Sequence, residues 1–350
     1  MKSDIIRFCA AQRKGTAVKM KKYSYLDTPV RVFGLPFFVK NKKLERLPED
    51  IRQKLPSLGF FGRRCMGARL AFRTNSKKLK VTLEFETLSF DIGMSIYACQ
   101  SAIVTTGHRP TQTFLGRVNP PDYETKTAER EFELSGEMQD ITIWFPRNEI
   151  VRDIFFEIDD DAQTEAPTPY KFAPMLFYGS SITEGGHADK PNDAYASLLS
   201  DWLDADFYDL GFSGSAHGEP EIAEFIAGIP MSVFVMDYDH NSPVEELRKN
   251  HEPFFETVRK KNPELPIVIL NRPVFVKDSE YFERRKIVKS TYENAVSRGD
   301  KNVFFIDSVD FFTDETVSLC TTDNTHPNSF GFYMMAKKIY PVLLDILTSQ

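Results

Sequence analysis

Four short polar blocks hold the residue types that acyl transfer needs. They read Gly179-Ser180-Ser181-Ile182-Thr183-Glu184-Gly185-Gly186, Gly211-Phe212-Ser213-Gly214-Ser215, Asp237-Tyr238-Asp239-His240-Asn241 and Asp323-Asn324-Thr325-His326-Pro327. Between them they supply a hydroxyl, a flexible glycine, an amide and a carboxylate–imidazole pair, the parts of an activated-serine mechanism. Each block alone has an ordinary reading. Gly, Ser and Thr cap strand-to-helix turns, Asp-x-x-His is a common loop element, most glycines serve turns, and Asn241 could cap a helix near Pro243. Their weight comes from occurring together, each behind a predicted strand.

Those strands are short apolar runs at 175–178, 207–210, 232–236, 267–270 and 303–306. Helical patterns alternate with them at about 194–202, 219–226, 244–261, 279–297 and 330–347. In the first, Tyr195, Leu198, Leu199 and Trp202 fall at i, i+3, i+4 and i+7 and define one apolar face. Five strands interleaved with five helices predict βαβ units, right-handed crossovers and a parallel sheet covered on both faces. Ligands in such sheets bind outside the carboxyl ends of the strands, where the blocks stand.

The first half has a different period. Leu79, Val81, Leu83 and Phe85 alternate with polar residues, and so do Ala68, Leu70 and Phe72, with Asn75-Ser76 as the turn between them. Further strands are expected at 94–99, 131–134, 141–145 and 153–158, which predicts an all-β sandwich or jelly roll. Residues 1–60 are the least readable. Asp159-Asp160-Asp161 and Glu165-Ala166-Pro167-Thr168-Pro169 are expected to continue neither strand nor helix, which places a boundary between domains at 1–165 and 166–350.

Composition narrows the function. The 350 residues are 41% hydrophobic and 27% charged, and 50 acidic against 44 basic residues give a net charge of −6. An acidic chain without a Lys/Arg block argues against nucleic acid as the main partner. No apolar run spans a bilayer, and residues 1–18 are interrupted by charges, so neither a membrane anchor nor a signal-peptide core is expected. Four scattered cysteines fit a reduced, cytoplasmic compartment. No zinc-ligand spacing, P-loop or dinucleotide fingerprint occurs, so no metal or cofactor is predicted. Gly-x-Ser-x-Gly is absent, against an α/β-hydrolase. His187 and His217 lie in strand-end loops, either lining the pocket or simply exposed. A homo-oligomer is compatible with all of this.

Over about residues 172–347 the blocks resemble the SGNH hydrolases, the GDSL-type esterase superfamily. That resemblance implies a flavodoxin-like, doubly wound, five-stranded parallel sheet with Ser181 as nucleophile and Asp323 and His326 completing a triad. Gly214 takes the second-block glycine position, and Asn241 the third-block asparagine, with His240 as the alternative one residue away. Ser180 stands where Asp is usual, and Asp-Tyr-Asp-His-Asn replaces Gly-x-Asn-Asp. On this reading the Ser181 and Gly214 N–H groups and the Asn241 amide form the oxyanion hole, and His326 takes and returns the Ser181 proton. The β-rich half resembles the sandwich domains of two-domain carbohydrate esterases and acyltransferases. The implied activity is removal of short acyl groups, most simply acetyl, from a hydroxylated substrate such as an oligosaccharide. Transfer to an acceptor alcohol, or non-catalytic glycan binding, are the alternatives.

Overall fold

The structure is a computed structural model that describes residues 19–349; residues 1–18, with the expected lack of a signal-peptide core and with Cys9, lie outside the described residues. The amino-terminal strands are β1 (Met20–Ser24), β2 (Arg31–Phe33), β3 (Arg69–Thr74), β4 (Lys78–Phe85) and β5 (Ala102–Thr106). They continue with β6 (Thr113–Val118), β7 (Thr127–Glu133), β8 (Gln139–Trp144), β9 (Val151–Asp159) and β10 (Thr164–Glu165). One antiparallel sheet runs β1-β9-β4-β7 and the other β10-β3-β8-β5-β6, with β2 also on β3. The alternating apolar residues foreseen in β3 and β4 fill the space between the sheets. Leu79, Val81 and Leu83 meet Leu70, Ile141 and Ile143, and the Phe72 and Phe156 rings stack at 3.8 Å. Each such side chain contributes about 1.5–3 kcal/mol by leaving water.

Two local expectations fail. Residues 94–99 are not a strand: the helix Ile96–Gln100 forms there, and the N–H groups of Arg147 and Asn148 bond the Ala98 and Cys99 carbonyls. A short apolar run cannot be told from a helix by period alone, and here tertiary partners decide. The stretch around Glu165 does join a ladder, because Thr164 and Glu165 pair with Thr74 and Arg73.

The carboxy-terminal half carries β11 (Phe172–Gly179), β12 (Ala205–Gly211), β13 (Val233–Asp237), β14 (Ile267–Leu270) and β15 (Val303–Ile306). Its helices are α1 (Tyr195–Leu203), α2 (Pro220–Ala227), α3 (Val244–Lys261), α4 (Ser279–Ser297) and α5 (Ser329–Thr348). Every pairing among the five strands is parallel, in the order β12-β11-β13-β14-β15, as the alternating pattern predicted. Apolar layers cover both faces, one including Leu176, Ile222 and Phe254, the other Phe177, Leu199 and Phe332. Leu47, Ile51, Leu55 and Leu58, from the segment hardest to read, join the first layer, so the amino-terminal half packs directly on the parallel sheet.

Strand order reverses at β11, which lies between β12 and β13. Its last residue, Gly179, is level with Gly211 on one side and Asp237 on the other. Three strands therefore release their chains at one height, at the switch point where doubly wound sheets open a crevice.

Candidate active site

The chain leaves β11 through a turn that only glycine permits, since a Cβ at Gly179 would collide with the Asp237 carbonyl and the Thr183 hydroxyl. Thr183 Oγ1 and the Tyr195 hydroxyl both donate to Asp237 Oδ2, at 2.9 and 2.7 Å. Burial pushes the Asp237 carboxyl up to about 7 against the pull of these donors. The turn is thereby tied to α1 and to the end of β13. Ser181, buried near its centre, presents Oγ 2.8 Å from His326 Nε2.

His326 arrives on a loop that builds itself. Asp323 Oδ1 accepts the N–H groups of Thr325, at 2.9 Å, and His326, at 2.7 Å, a closed Asx-type turn. The Thr321 hydroxyl donates to the His326 carbonyl at 3.0 Å, and Asn328 then caps α5 by accepting from Gly331. The other Asp323 oxygen lies 2.7 Å from His326 Nδ1. A carboxylate there fixes the proton on Nδ1 and leaves Nε2 to accept from Ser181. Partial burial pushes Asp323 up, but the His326 N–H, the imidazole and the Thr325 N–H outweigh it and hold the carboxyl at about 2. The structure thus brings Ser181, His326 and Asp323 into one hydrogen-bonded line.

Among the described residues, the N–H groups of Ser181 and Gly214 donate to no protein acceptor. Gly214 is exposed, has φ +68°, and a Cβ there would meet open space, so its left-handed conformation rather than crowding favours glycine. Asn241 is half-buried, and its Oδ1 is buried without a partner among the described residues. His240, the other third-block candidate, stands edge-on to His326, ring centres 6.4 Å apart. Burial, with Arg272 and His326 adding to it, lowers His240 to about 4, so it is neutral at pH 7. Arg272 and His240 lead into a cavity of about 310 Å³ also lined by Phe275, Tyr281, Asn324 and Thr325.

His187 lines the site too. Its ring stacks on His326 at 4.7 Å, with Nε2 3.8 Å from Asp323 Oδ2 and Nδ1 2.7 Å from the Thr322 hydroxyl. Burial, then the neighbouring His326, lowers its pKa. Ligand atoms of His187, Asp323 and His326 lie within 4.8 Å of one another, the spacing of a metal cluster. Both His326 nitrogens are engaged, however, so a cation drawing on this ring would have to displace Ser181 or Asp323. As it stands, the arrangement is one that can pass a proton.

Sequence reading missed one group behind the site. Arg46, fully buried, spends all five N–H donors: Nε on the Arg64 carbonyl, Nη1 on those of Asp209 and Gly211, and Nη2 on the Phe61 carbonyl and Glu184 Oε1. Glu184 Oε2 in turn accepts from both the N–H and the hydroxyl of Ser213. The available signal was Glu184 itself, a lone acid in a glycine-rich turn; nothing in the sequence singled out Arg46.

Comparison with known proteins agrees with this geometry. Residues 173–344 match the GDSL-like Lipase/Acylhydrolase family. A protein described as a GDSL-like lipase, from Bacteroides ovatus ATCC 8483, superposes with a TM-score of 0.83 at 22% identity, covering 94% of this chain and 98% of that one. A salicylyl-acyltransferase from a tetracycline biosynthetic pathway gives 0.76 at 20%, over 94% and 98%. A family two carbohydrate esterase from Cellvibrio japonicus gives 0.64 at 13%, also over 94% and 98%. At these identities the likeness is one of fold, and it spans both halves of the chain. No curated protein sequence matches it.

Proposed function

Because this chain carries a GDSL-like lipase/acylhydrolase domain, we propose that it is a serine esterase that removes short acyl groups, acetyl foremost, from a hydroxylated substrate such as an oligosaccharide. The observation that carries the reading is the unbroken line from Ser181 Oγ to His326 Nε2, at 2.8 Å, and from His326 Nδ1 to Asp323 Oδ2, at 2.7 Å. Ser181 Oγ attacks the acyl carbon while its proton passes to His326 Nε2. Charge gathers on the acyl oxygen, where the Ser181 and Gly214 N–H groups and the Asn241 amide donate. The C–O bond to the alcohol breaks, and the alcohol leaves with the proton from His326. Water then repeats the sequence in reverse and frees the acid.

The substrate class rests on structural neighbours that are carbohydrate esterases. A second reading, transfer of the same acyl group to an acceptor alcohol, is favoured by the fold likeness to an acyltransferase. Turnover of p-nitrophenyl acetate by wild type and Ser181→Ala, with and without a sugar or alcohol acceptor, tests both. Ser181→Ala should lose nearly all activity. Unchanged turnover would remove Ser181 from the reaction, and an acceptor-dependent acylated product would select transfer.

A further inference from the structure

The groups that hold the Ser181 turn and the Gly214 loop do not all belong to the parallel-sheet half. Arg46 lies 163 and 165 residues before its acceptors Asp209 and Gly211, and 138 before Glu184. It is anchored to its own segment through the Phe61 and Arg64 carbonyls and through its own N–H to Gly62. Its guanidinium also lies over the Phe212 ring, at 5.0 Å. The contacts then run in series. Arg46 holds Glu184, three residues after Ser181; Glu184 holds Ser213 by two bonds; and Ser213 adjoins Gly214, whose N–H has no acceptor among the described residues. Arg147, also from the amino-terminal half, brings a second guanidinium to 4.0 Å from Glu184 Oε2.

We propose that Arg46 is a positioning residue for this reaction, setting the Gly214 N–H against the Ser181 turn through Glu184 and Ser213. The amino-terminal half then completes the oxyanion hole without touching the substrate. The physical ground is rigidity. Gly214 is exposed, its φ is +68° and nothing lies within 4 Å of where its Cβ would be, so between the buried Phe212 and Ala216 no contact of Gly214 itself fixes the donor. A guanidinium fork with every N–H engaged has one geometry, and the carboxylate transmits it to Ser213. Sub-ångström placement of such donors governs rate more than affinity.

The inference rests on the serine-esterase reading, and the test separates the two. Kinetics on p-nitrophenyl acetate are compared for wild type, Ser181→Ala, Ser213→Ala, Arg46→Lys and the Ser213→Ala/Arg46→Lys double variant, all in the full chain. Arg46→Lys keeps the charge but loses the fork, and Ser213→Ala removes the shorter, hydroxyl bond of the far link, keeping only the 3.3 Å N–H bond and leaving the buried pair whole. Each should lower kcat by roughly 10–100-fold with KM within about two-fold. The double variant should be no slower than the slower single one, because the links act in series. If Arg46→Lys does not fold, Ser213→Ala decides alone. Wild-type kcat in Ser213→Ala, or multiplicative losses in the double variant, overturns the inference while leaving the esterase intact. Retained turnover in Ser181→Ala overturns the esterase reading itself.

Discussion

Two regions meet at Ser181 and are built in opposite ways. The Asp323–His326 loop makes its bonds over two or three residues, is partly exposed, and reaches Ser181 as a finished unit. The Arg46–Glu184–Ser213 junction is largely buried and joins residues 29 and 138 apart in the chain. The first region concentrates chemistry in groups that the fold scarcely needs. The second concentrates structure in groups that never meet the reacting atoms. Changes in the loop should therefore cost mainly rate, with a smaller loss of stability, while changes at the junction should cost both.

The largest effect is expected of His326→Ala, which removes the base: kcat falls on the order of 10⁴–10⁶-fold, with a melting temperature close to wild type. A melting temperature lowered as far as that of a junction variant would erase the contrast. Asp323→Asn keeps the base but loses its orienting charge, so its kcat should fall less than that of His326→Ala; the opposite ranking in the same assay would reassign the two roles. At the junction, Glu184→Ala takes from the buried Arg46 guanidinium the nearer of its two acidic partners, leaving Asp209 at 3.5 Å, and should cost about 3 kcal/mol in denaturant unfolding. Gly214→Ala should cost only about 1–2 kcal/mol, the strain of a side chain in the left-handed region, because its Cβ meets no atom. The smallest effect is a pH slope. Asp323 is held at about 2, below the ordinary ~3.9 of an aspartate, so folding favours its ionised form. That stabilisation is full above about pH 4 and fades as pH falls through the folded value. Wild-type unfolding midpoints should therefore decline between pH 4 and 2 more steeply than those of Asp323→Asn, and parallel declines would detach the loop from this linkage.

The same contrast explains what could be read in advance. Alternating Leu79, Val81, Leu83 and Phe85 announced a strand, and the five short apolar runs announced a parallel sheet, because period and burial are local properties. Asp323 and His326 were legible for the same reason: their contact is three residues long. Arg46 was not, since an arginine in an unpatterned stretch reads as a solvated charge until the fold supplies Asp209, Gly211 and Glu184 around it. The helix at Ile96–Gln100 escaped for a related cause, its last carbonyls being satisfied by residues nearly fifty positions away. His187 and His240 were visible as loop histidines, but their closeness to His326 depends on which strands are neighbours.

One further consequence follows from the place of β12 at the end of the sheet. Its carbonyls at Asp209 and Gly211 are taken by a side chain rather than by another strand. Strip that guanidinium away and the ribbon is left with unsatisfied acceptors along its outer border, an invitation to the same border of another molecule. A fragment beginning after the sandwich should accordingly be prone to self-association through β-pairing.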